Sequence, residues 1–146
     1  MTDYNIADFI RAGKSKLKTM VISEAIRPGE VLNVQDASLY DQDDTDLGVF
    51  INDIRVTTAM GSQATANQRG YYIPMTDAAG CEVRMTEGGH SSISGGAYVK
   101  VTTDGKIAAW SYVDGEPGSD TFRDVIGRAS EAIAQGGTGW VKLGRV

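Results

Sequence analysis

His90 and Cys81 are each the only residue of their type, which limits the chemistry open to this protein. A metal site built from two or more histidines is excluded. His90 stands beside two serines, but neighbouring residues on an extended chain point to opposite faces, and no Gly-x-Ser-x-Gly elbow is present. The immediate neighbours of Cys81 are not basic, so nothing activates its thiol. We therefore expect His90 to be an exposed loop residue and Cys81 to be a buried or half-buried hydrophobe.

An acidic segment is the second place where chemistry could occur. Its carboxylates are those of Asp36, Asp41, Asp43, Asp44, Asp46 and Asp53, with no lysine or arginine between them. An EF-hand loop that began at Asp41 would need glycine at its sixth position and glutamate at its twelfth, where Asp46 and Asn52 stand. We therefore expect a solvated acidic loop, with a cation site of another kind as the alternative.

Two glycine-containing motifs fail as nucleotide sites. The segment 137–142 lacks the third glycine of a dinucleotide fingerprint, and no βαβ unit follows it. Gly13-Lys14-Ser15 lacks the upstream glycine that a phosphate-binding loop requires. No two carboxylates stand out as an acid and a base. We predict that the protein is not an enzyme and uses no cofactor, metal ion or small-molecule substrate.

Composition excludes further classes of protein. The net charge of -5 at pH 7 argues against a general nucleic-acid binder, which needs a basic face. No run approaches the roughly 18 apolar residues of a membrane span. Asp3 and Asp8 stand where a secretory signal would be basic. We expect no nucleic-acid or membrane partner and a protein that is kept inside the producing cell.

The residue pattern of the chain predicts the secondary-structure elements that position these residues. Its 18 glycines and other turn residues separate short apolar and β-branched runs, a pattern typical of β-domains with tight turns. One long or bulged strand is expected over 47–60, and no repeat with a period of 20–50 residues is visible. We predict an all-β fold: one small domain over 19–146, built as a β-barrel or β-sandwich with at most short helices.

Residues 1–18 are predicted to form an extended N-terminal arm. Ile6, Phe9 and Ile10 have helical spacing, and Thr2 or Asp3 could cap a single turn before Gly13 breaks it. The basic residues that follow are Arg11, Lys14, Lys16 and Lys18. The sequence leaves two interpretations open, a basic arm that contacts a partner and a solvated terminus.

The segment 120–135 is ambiguous between a helix and a strand. Val125, Ala129 and Ile133 have helix-like spacing, and Gly136 stands where a helix would end. Gly127 would cost such a helix about 1 kcal/mol relative to alanine.

Several short motifs recur in one known family. They are the Val-Lys-Val-Thr strand at 99–102, the Asp-Gly-Lys-Ile turn at 104–107, the strand that begins at Val125, the Trp-Val-Lys-Leu strand at 140–143, and the Arg-Pro-Gly-Glu-Val-Leu turn at 27–32. Together they resemble the head-decoration, or capsid-cement, proteins of tailed bacteriophages. The resemblance implies a strand from Val125, because the family's Ile-Gly-x-Ala segment is a strand.

This resemblance also implies a function. Proteins of the family form homotrimers on the outer capsid surface and stabilise the shell by clamping neighbouring major capsid proteins. The expected partners are the major capsid protein and two further copies of the chain. The candidate contact residues are Phe9, Arg11, Lys14, Lys16 and Lys18 of the arm, Asp41, Asp43, Asp44 and Asp46 of the acidic loop, and Trp110 and Trp140.

Other functions remain open on the sequence. Trp110 and Trp140 lie on predicted strands, where core packing is the default role and an interface anchor the alternative. A tail or baseplate component of a phage would share the β-rich, glycine-rich texture. A small β-barrel binding module of cellular origin would share it too.

Overall fold

The computed structural model describes residues 4–41, 44–102, 104–111, 120 and 124–144. They form strands β1 (Ile10–Ala12), β2 (Lys18–Val21), β3 (Val31–Asn33), β4 (Ser38–Leu39), β5 (Leu47–Asp53), β6 (Arg69–Pro74), β7 (Glu82–Thr86), β8 (Tyr98–Val101), β9 (Ile107–Ala109), β10 (Val125–Ala129) and β11 (Thr138–Leu143). Three single-turn 3₁₀ helices cover Ile6–Asp8, Lys14–Lys16 and Met75–Asp77. The all-β prediction, with at most short helices, is confirmed.

The strands form two antiparallel sheets. The first sheet has the order β2-β6-β5-β3-β4, and the second sheet has the order β1-β7-β11-β10-β8-β9. Neither sheet closes into a barrel. The structure therefore differs from a β-barrel, one of the two predicted architectures: it has two open sheets around a common core.

Both sheets are built on the same plan. Strands β2 to β6 (residues 18–74, the first repeat) and β7 to β11 (residues 82–143, the second repeat) follow one another in the same spatial order. Only β1 has no counterpart, since it adds a sixth strand to the edge of the second sheet. The chain is thus a tandem duplication of a five-stranded unit.

Local hydrogen bonds repeat as well. The backbones of Ile26 and Ala64 bond to each other in both directions, at 3.1 and 2.9 Å, and Ile93 and Ile133 do so at 2.8 Å. The turn before β3 contains Gly29 and the turn before β8 contains Gly96, both with φ 83°. Sequence inspection missed this duplication because the matching positions are few and mostly turn residues.

One large core connects the two repeats. It contains Val31, Val49, Ile51 and Ile73 of the first sheet together with Val83, Met85, Val99, Ala129 and Val141 of the second. A smaller cluster belongs to the first repeat alone and contains Ile22, Ile26, Leu32, Phe50 and Ala64. Each repeat therefore depends on the other for the burial of apolar surface.

β10 begins at Val125 as the family resemblance implied, in spite of the helix-like spacing. Gly127 explains how it pairs so closely with β11, since a Cβ at this position would lie 2.4 Å from the carbonyl oxygen of Lys142. Pairing with β8 and β11 on both sides overrides the local helix preference.

The prediction of one strand over 47–60 was wrong, because β5 ends at Asp53. The carboxylate of Asp53 accepts hydrogen bonds from the N–H and the hydroxyl of Thr57, both at 2.9 Å, and from the hydroxyl of Thr58 at 3.0 Å. These bonds form a turn that competes with strand pairing. Val56 in this turn has φ 54°, which is rare for a β-branched residue.

Part of the predicted N-terminal arm belongs to the second sheet. Asn5 caps the first 3₁₀ turn by accepting the N–H of Ala7 at 2.9 Å. Phe9 is 2% exposed and Ile10 is fully buried in the common core. β1 then pairs with the edge of β7.

Candidate interaction face

The outward side of the second sheet carries a basic and aromatic surface. Inward positions on its strands hold core residues such as Val83 on β7 and Val141 on β11. Since successive side chains of a strand point to opposite faces, the residues between them point away from the core. We call this outward surface the basic face; it consists of Arg11, Glu82, Arg84, Tyr98, Arg128, Trp140 and Lys142.

Trp140 is in contact with two guanidinium groups. The Cζ atoms of Arg11 and Arg84 lie 4.5 and 5.0 Å from the centre of its ring. β7 places Arg84 directly opposite Trp140, and β1 brings Arg11 to the neighbouring edge. Each such cation–π contact contributes about 0.5–1 kcal/mol where water has access. With only 8% of its surface exposed, Trp140 anchors the centre of the face.

Glu82 lies on the same face and bonds to Arg11. Its carboxylate accepts hydrogen bonds from Nε of Arg11 and from the hydroxyl of Ser130. The Arg11 bond lowers the pKa of Glu82, partial burial opposes this, and the Ser130 bond lowers the pKa further. The same ion pair raises the pKa of Arg11. Glu82 therefore stays ionised and neutralises Arg11.

A third cation–π contact extends the face to β8. The Cζ atom of Arg128 lies 5.0 Å from the centre of the Tyr98 ring, and its Nε donates to the carbonyl of Gly96 at 3.0 Å. Tyr98 in turn meets Trp110 edge to face, with ring centres 5.7 Å apart. The face thus spans five strands, or roughly 20 Å.

Positive charge exceeds negative charge on this surface. Arg11, Arg84, Arg128 and Lys142 lie near two carboxylates, those of Glu82 and of Glu131, which accepts the N–H of Trp140 at 3.2 Å. Among the described residues, the ion pair of Arg11 with Glu82 is the one recorded for these cations. Nε of Arg84 is buried, and it has no hydrogen-bond partner among the described residues. This face therefore carries a local excess of cations in a protein whose net charge is -5.

The structure gathers only some of the predicted contact residues on this face. Arg11 and Trp140 lie on it, and Trp110 reaches it through Tyr98. Phe9 packs in the core, edge to face with Tyr4 at 6.0 Å.

The remaining predicted cations lie elsewhere. Lys14 and Lys16 are on an exposed 3₁₀ turn, and Lys18 at the start of β2 lies 3.4 Å from Asp77. The cations of the predicted arm are therefore divided between two regions of the surface.

The predicted acidic loop is partly described. A carboxylate oxygen of Asp44 accepts the N–H of Asp41 at 2.7 Å, and the other accepts Nδ2 of Asn33 at 2.7 Å. The carbonyl of Asp46 accepts the N–H of Val34 at 2.9 Å, and Asp43 lies outside the described residues. Within the described ranges, no three histidine, cysteine or acidic side chains are grouped to hold a metal ion.

His90 and Cys81 occupy the expected environments. His90 is exposed in the loop after β7, and its N–H donates to the buried carboxylate of Glu87 at 2.9 Å. Cys81 is 1% exposed, and burial raises the pKa of its thiol. The helices found in the described ranges are too short to cross a bilayer.

The residues of the basic face that sequence reasoning missed are Glu82, Arg84, Tyr98, Arg128 and Lys142. Arg84, Arg128 and Lys142 each stand between two buried residues of their strands, and a cation in that position was a usable signal. It marked the outward side of three separate strands. The sequence pattern could not show the strand order, which brings the outward sides of these strands next to one another.

No protein-family model matches the chain, and no curated protein sequence matches it. Its fold is similar to the crystal structure of the N base of head fiber gp8.5 in bacteriophage phi29, with a TM-score of 0.50. The alignment covers 88% of this chain and 93% of that chain, at 15% sequence identity. At this identity the likeness establishes a shared fold.

Proposed function

We propose that the chain is a structural protein of a phage virion that decorates the outer surface of the head and clamps neighbouring major capsid proteins. The basic face carries this proposal. Arginine, tryptophan and tyrosine are the residues that dominate protein interfaces. The fold shared with a phage head fiber base supports a place on the head.

An acidic protein surface is the partner that this face suits best. Trp140 is 8% exposed and already in contact with two guanidinium groups, so it offers no open platform on which a base could stack. The net charge of -5 also repels a polyanion at long range. A folded partner that carries carboxylates at matching positions would pair with Arg128 and Lys142 at short range, and it lacks the dense charge of a polyanion.

We further propose that the protein acts as a homotrimer, as the family resemblance implies. A clamp needs several attachment points, and joining copies raises the effective concentration of each face at the shell. Sedimentation should give a mass near three times 15.6 kDa. A chain that stays monomeric at every concentration would contradict the trimer.

Charge reversal tests the face. We expect the double variant Arg128→Glu with Lys142→Glu to bind expanded capsids at least ~10-fold more weakly in co-sedimentation, a loss of about 1.4 kcal/mol or more. Lys14→Glu with Lys16→Glu is the matched control, because it makes the same charge change at exposed positions off the face.

The two double variants separate the alternatives. If the cations of the arm bind the shell, the control variant loses binding instead. Equal binding by both variants and the unmodified protein would contradict the proposal. Deleting residues 2–18 would be a poorer test, since it also removes Phe9 and Ile10 from the core.

A further inference from the structure

β2 forms an open edge of the first sheet. Its one strand neighbour in the described structure is β6. Just after β2, the N–H of Ile22 donates toward β6, to the carbonyl of Gln68 at 3.0 Å. Since backbone groups of alternate residues point to opposite sides, those of Thr19 and Val21 point away from β6. These two residues present unpaired strand donors and acceptors.

The corresponding edge of the second repeat is occupied. Met20 lies opposite Gly70 and Met85 lies opposite Gly139, so Thr19 corresponds to Arg84. In the second sheet β1 pairs with this edge, and the N–H of Arg84 donates to the carbonyl of Phe9 at 2.9 Å. The fold therefore has a place for one more strand beside the first strand of each repeat, filled in one and open in the other.

One exposed apolar side chain lies on the open edge strand, and a second lies two strands away from it. Val21 is 44% exposed and Ile54 is 43% exposed, and they are the large hydrophobic residues classed as exposed in the described part of the chain. Val21 lies opposite Arg69, whose carbonyl accepts the N–H of Ile54 at 3.1 Å. An open edge that carries an exposed apolar side chain favours pairing with another chain.

We propose that β2 pairs antiparallel with β2 of a second copy of this chain, around a twofold axis at Met20. In this register Thr19 lies opposite Val21 of the second copy and exchanges two hydrogen bonds with it. The twofold axis generates a second, identical pair between Val21 and Thr19 of the second copy. No neighbouring register joins both outward-pointing residues, because β2 begins at Lys18 and the N–H of Ser23 is already bonded to Ala37 at 2.9 Å.

Charge favours a second copy as the occupant. The segment is basic at its beginning, with exposed Lys16 and Lys18, and carries exposed Glu24 near its end. Antiparallel pairing brings the basic end of one copy toward the acidic end of the other. The inference stands independently of the proposed capsid role. In a trimeric protein the β2 pair would join one trimer to another, so sedimentation would give three chains for a trimer whose β2 edges stay open and a larger multiple of three where they pair.

Disulfide trapping tests this register. Two residues that face each other in a non-hydrogen-bonded pair have Cα atoms about 4.5 Å apart, within the range of a disulfide. In a Cys81→Ala background, Met20→Cys should form a covalent dimer under mild oxidation. Lys18→Cys is the matched control, since its two copies would lie about 14 Å apart. Failure of Met20→Cys to cross-link, or equal cross-linking of both variants, would overturn the proposal.

Proline substitution tests the hydrogen bonds. Proline is tolerated in an edge strand where the N–H points to solvent, so Val21→Pro should leave the sheet folded while blocking strand addition. Added to Met20→Cys, it should abolish the dimer band; Val21→Thr, which keeps the N–H, should leave the band. If circular dichroism shows that Val21→Pro unfolds the chain, Thr19→Pro is used in its place. A dimer band that persists in a folded proline variant would contradict the pairing.

Discussion

At Glu87 a single carboxylate joins the loops of the second repeat. It is 1% exposed and accepts the N–H groups of Gly89, His90 and Gly136 at 2.7, 2.9 and 2.8 Å. Burial raises the pKa of Glu87, but these backbone donors outweigh it and set the pKa below the usual value. The ionised form therefore stabilises the fold.

Removing this charge should weaken the protein and alter its response to acid. We expect Glu87→Gln to lower the free energy of unfolding by about 1–3 kcal/mol at pH 7, because buried donors lose part of their acceptor. With a lowered folded-state pKa, the contribution of Glu87 is complete above its unfolded pKa of about 4.3 and is lost as the pH falls through the folded value. Urea unfolding from pH 7 to pH 3 should thus show a shallower fall for Glu87→Gln.

The exposed carboxylate of Asp36 supplies the control for this measurement. Asp36→Asn should leave both the stability at pH 7 and its fall toward pH 3 close to those of the unmodified protein. A slope for Glu87→Gln that equals that of the unmodified protein would show that Glu87 contributes nothing as a charge.

Among the elements, the turn between β2 and β3 lies close against β7 of the other repeat. Gly29 in this turn has φ 83°, and a Cβ there would lie 2.3 Å from the carbonyl oxygen of Arg84 on β7. Gly61 has nearly the same backbone, with φ 84°, but no atom lies within 4 Å of its Cβ position. Alanine substitutions at Gly61 and Gly29 therefore separate the loss of stability caused by the left-handed backbone from the loss caused by the steric contact.

We expect Gly61→Ala to cost about 1 kcal/mol, the price of a left-handed residue with a side chain. Gly29→Ala should cost a further 1–3 kcal/mol, because the added methyl group meets the backbone of β7. Chemical denaturation of the two variants measures the difference. Equal costs would mean that the turn can move away from β7 without loss.

For the whole molecule, the common core should make the two repeats unfold together. Leu32 belongs to the cluster of the first repeat, whereas both tryptophans, Trp110 and Trp140, lie in the second repeat. We expect Leu32→Ala, a loss of about 2–5 kcal/mol, to lower the midpoint of thermal unfolding recorded by tryptophan fluorescence. Far-UV circular dichroism should give the same midpoint.

Ile54→Ala is the control for this experiment, because a side chain that is 43% exposed should contribute little. A fluorescence midpoint that does not move in Leu32→Ala, while the circular dichroism midpoint falls, would show that the repeats unfold separately.

Sequence reasoning succeeded where the cause is local. Short local motifs predicted the strand at 140–143, which is part of β11, and the turn at 27–32, which leads into β3. It failed at one local feature as well, because the Asp53 side chain bonds to Thr57 and Thr58 four and five positions later and so ends a strand that β propensity would continue. The strand at Val125 was obtained from family resemblance, since local spacing favoured a helix.

The sequence by itself determined the all-β character, the tight turns and which side chains each strand turns outward, because these follow from neighbours one or two positions apart. Tertiary structure alone decided that Arg11, Arg84 and Trp140 meet, that the two repeats share one core, and that β2 is left open while β7 is covered. The physical reason is register: which strands become neighbours depends on pairing between distant segments, and that pairing is selected by the burial of the whole core.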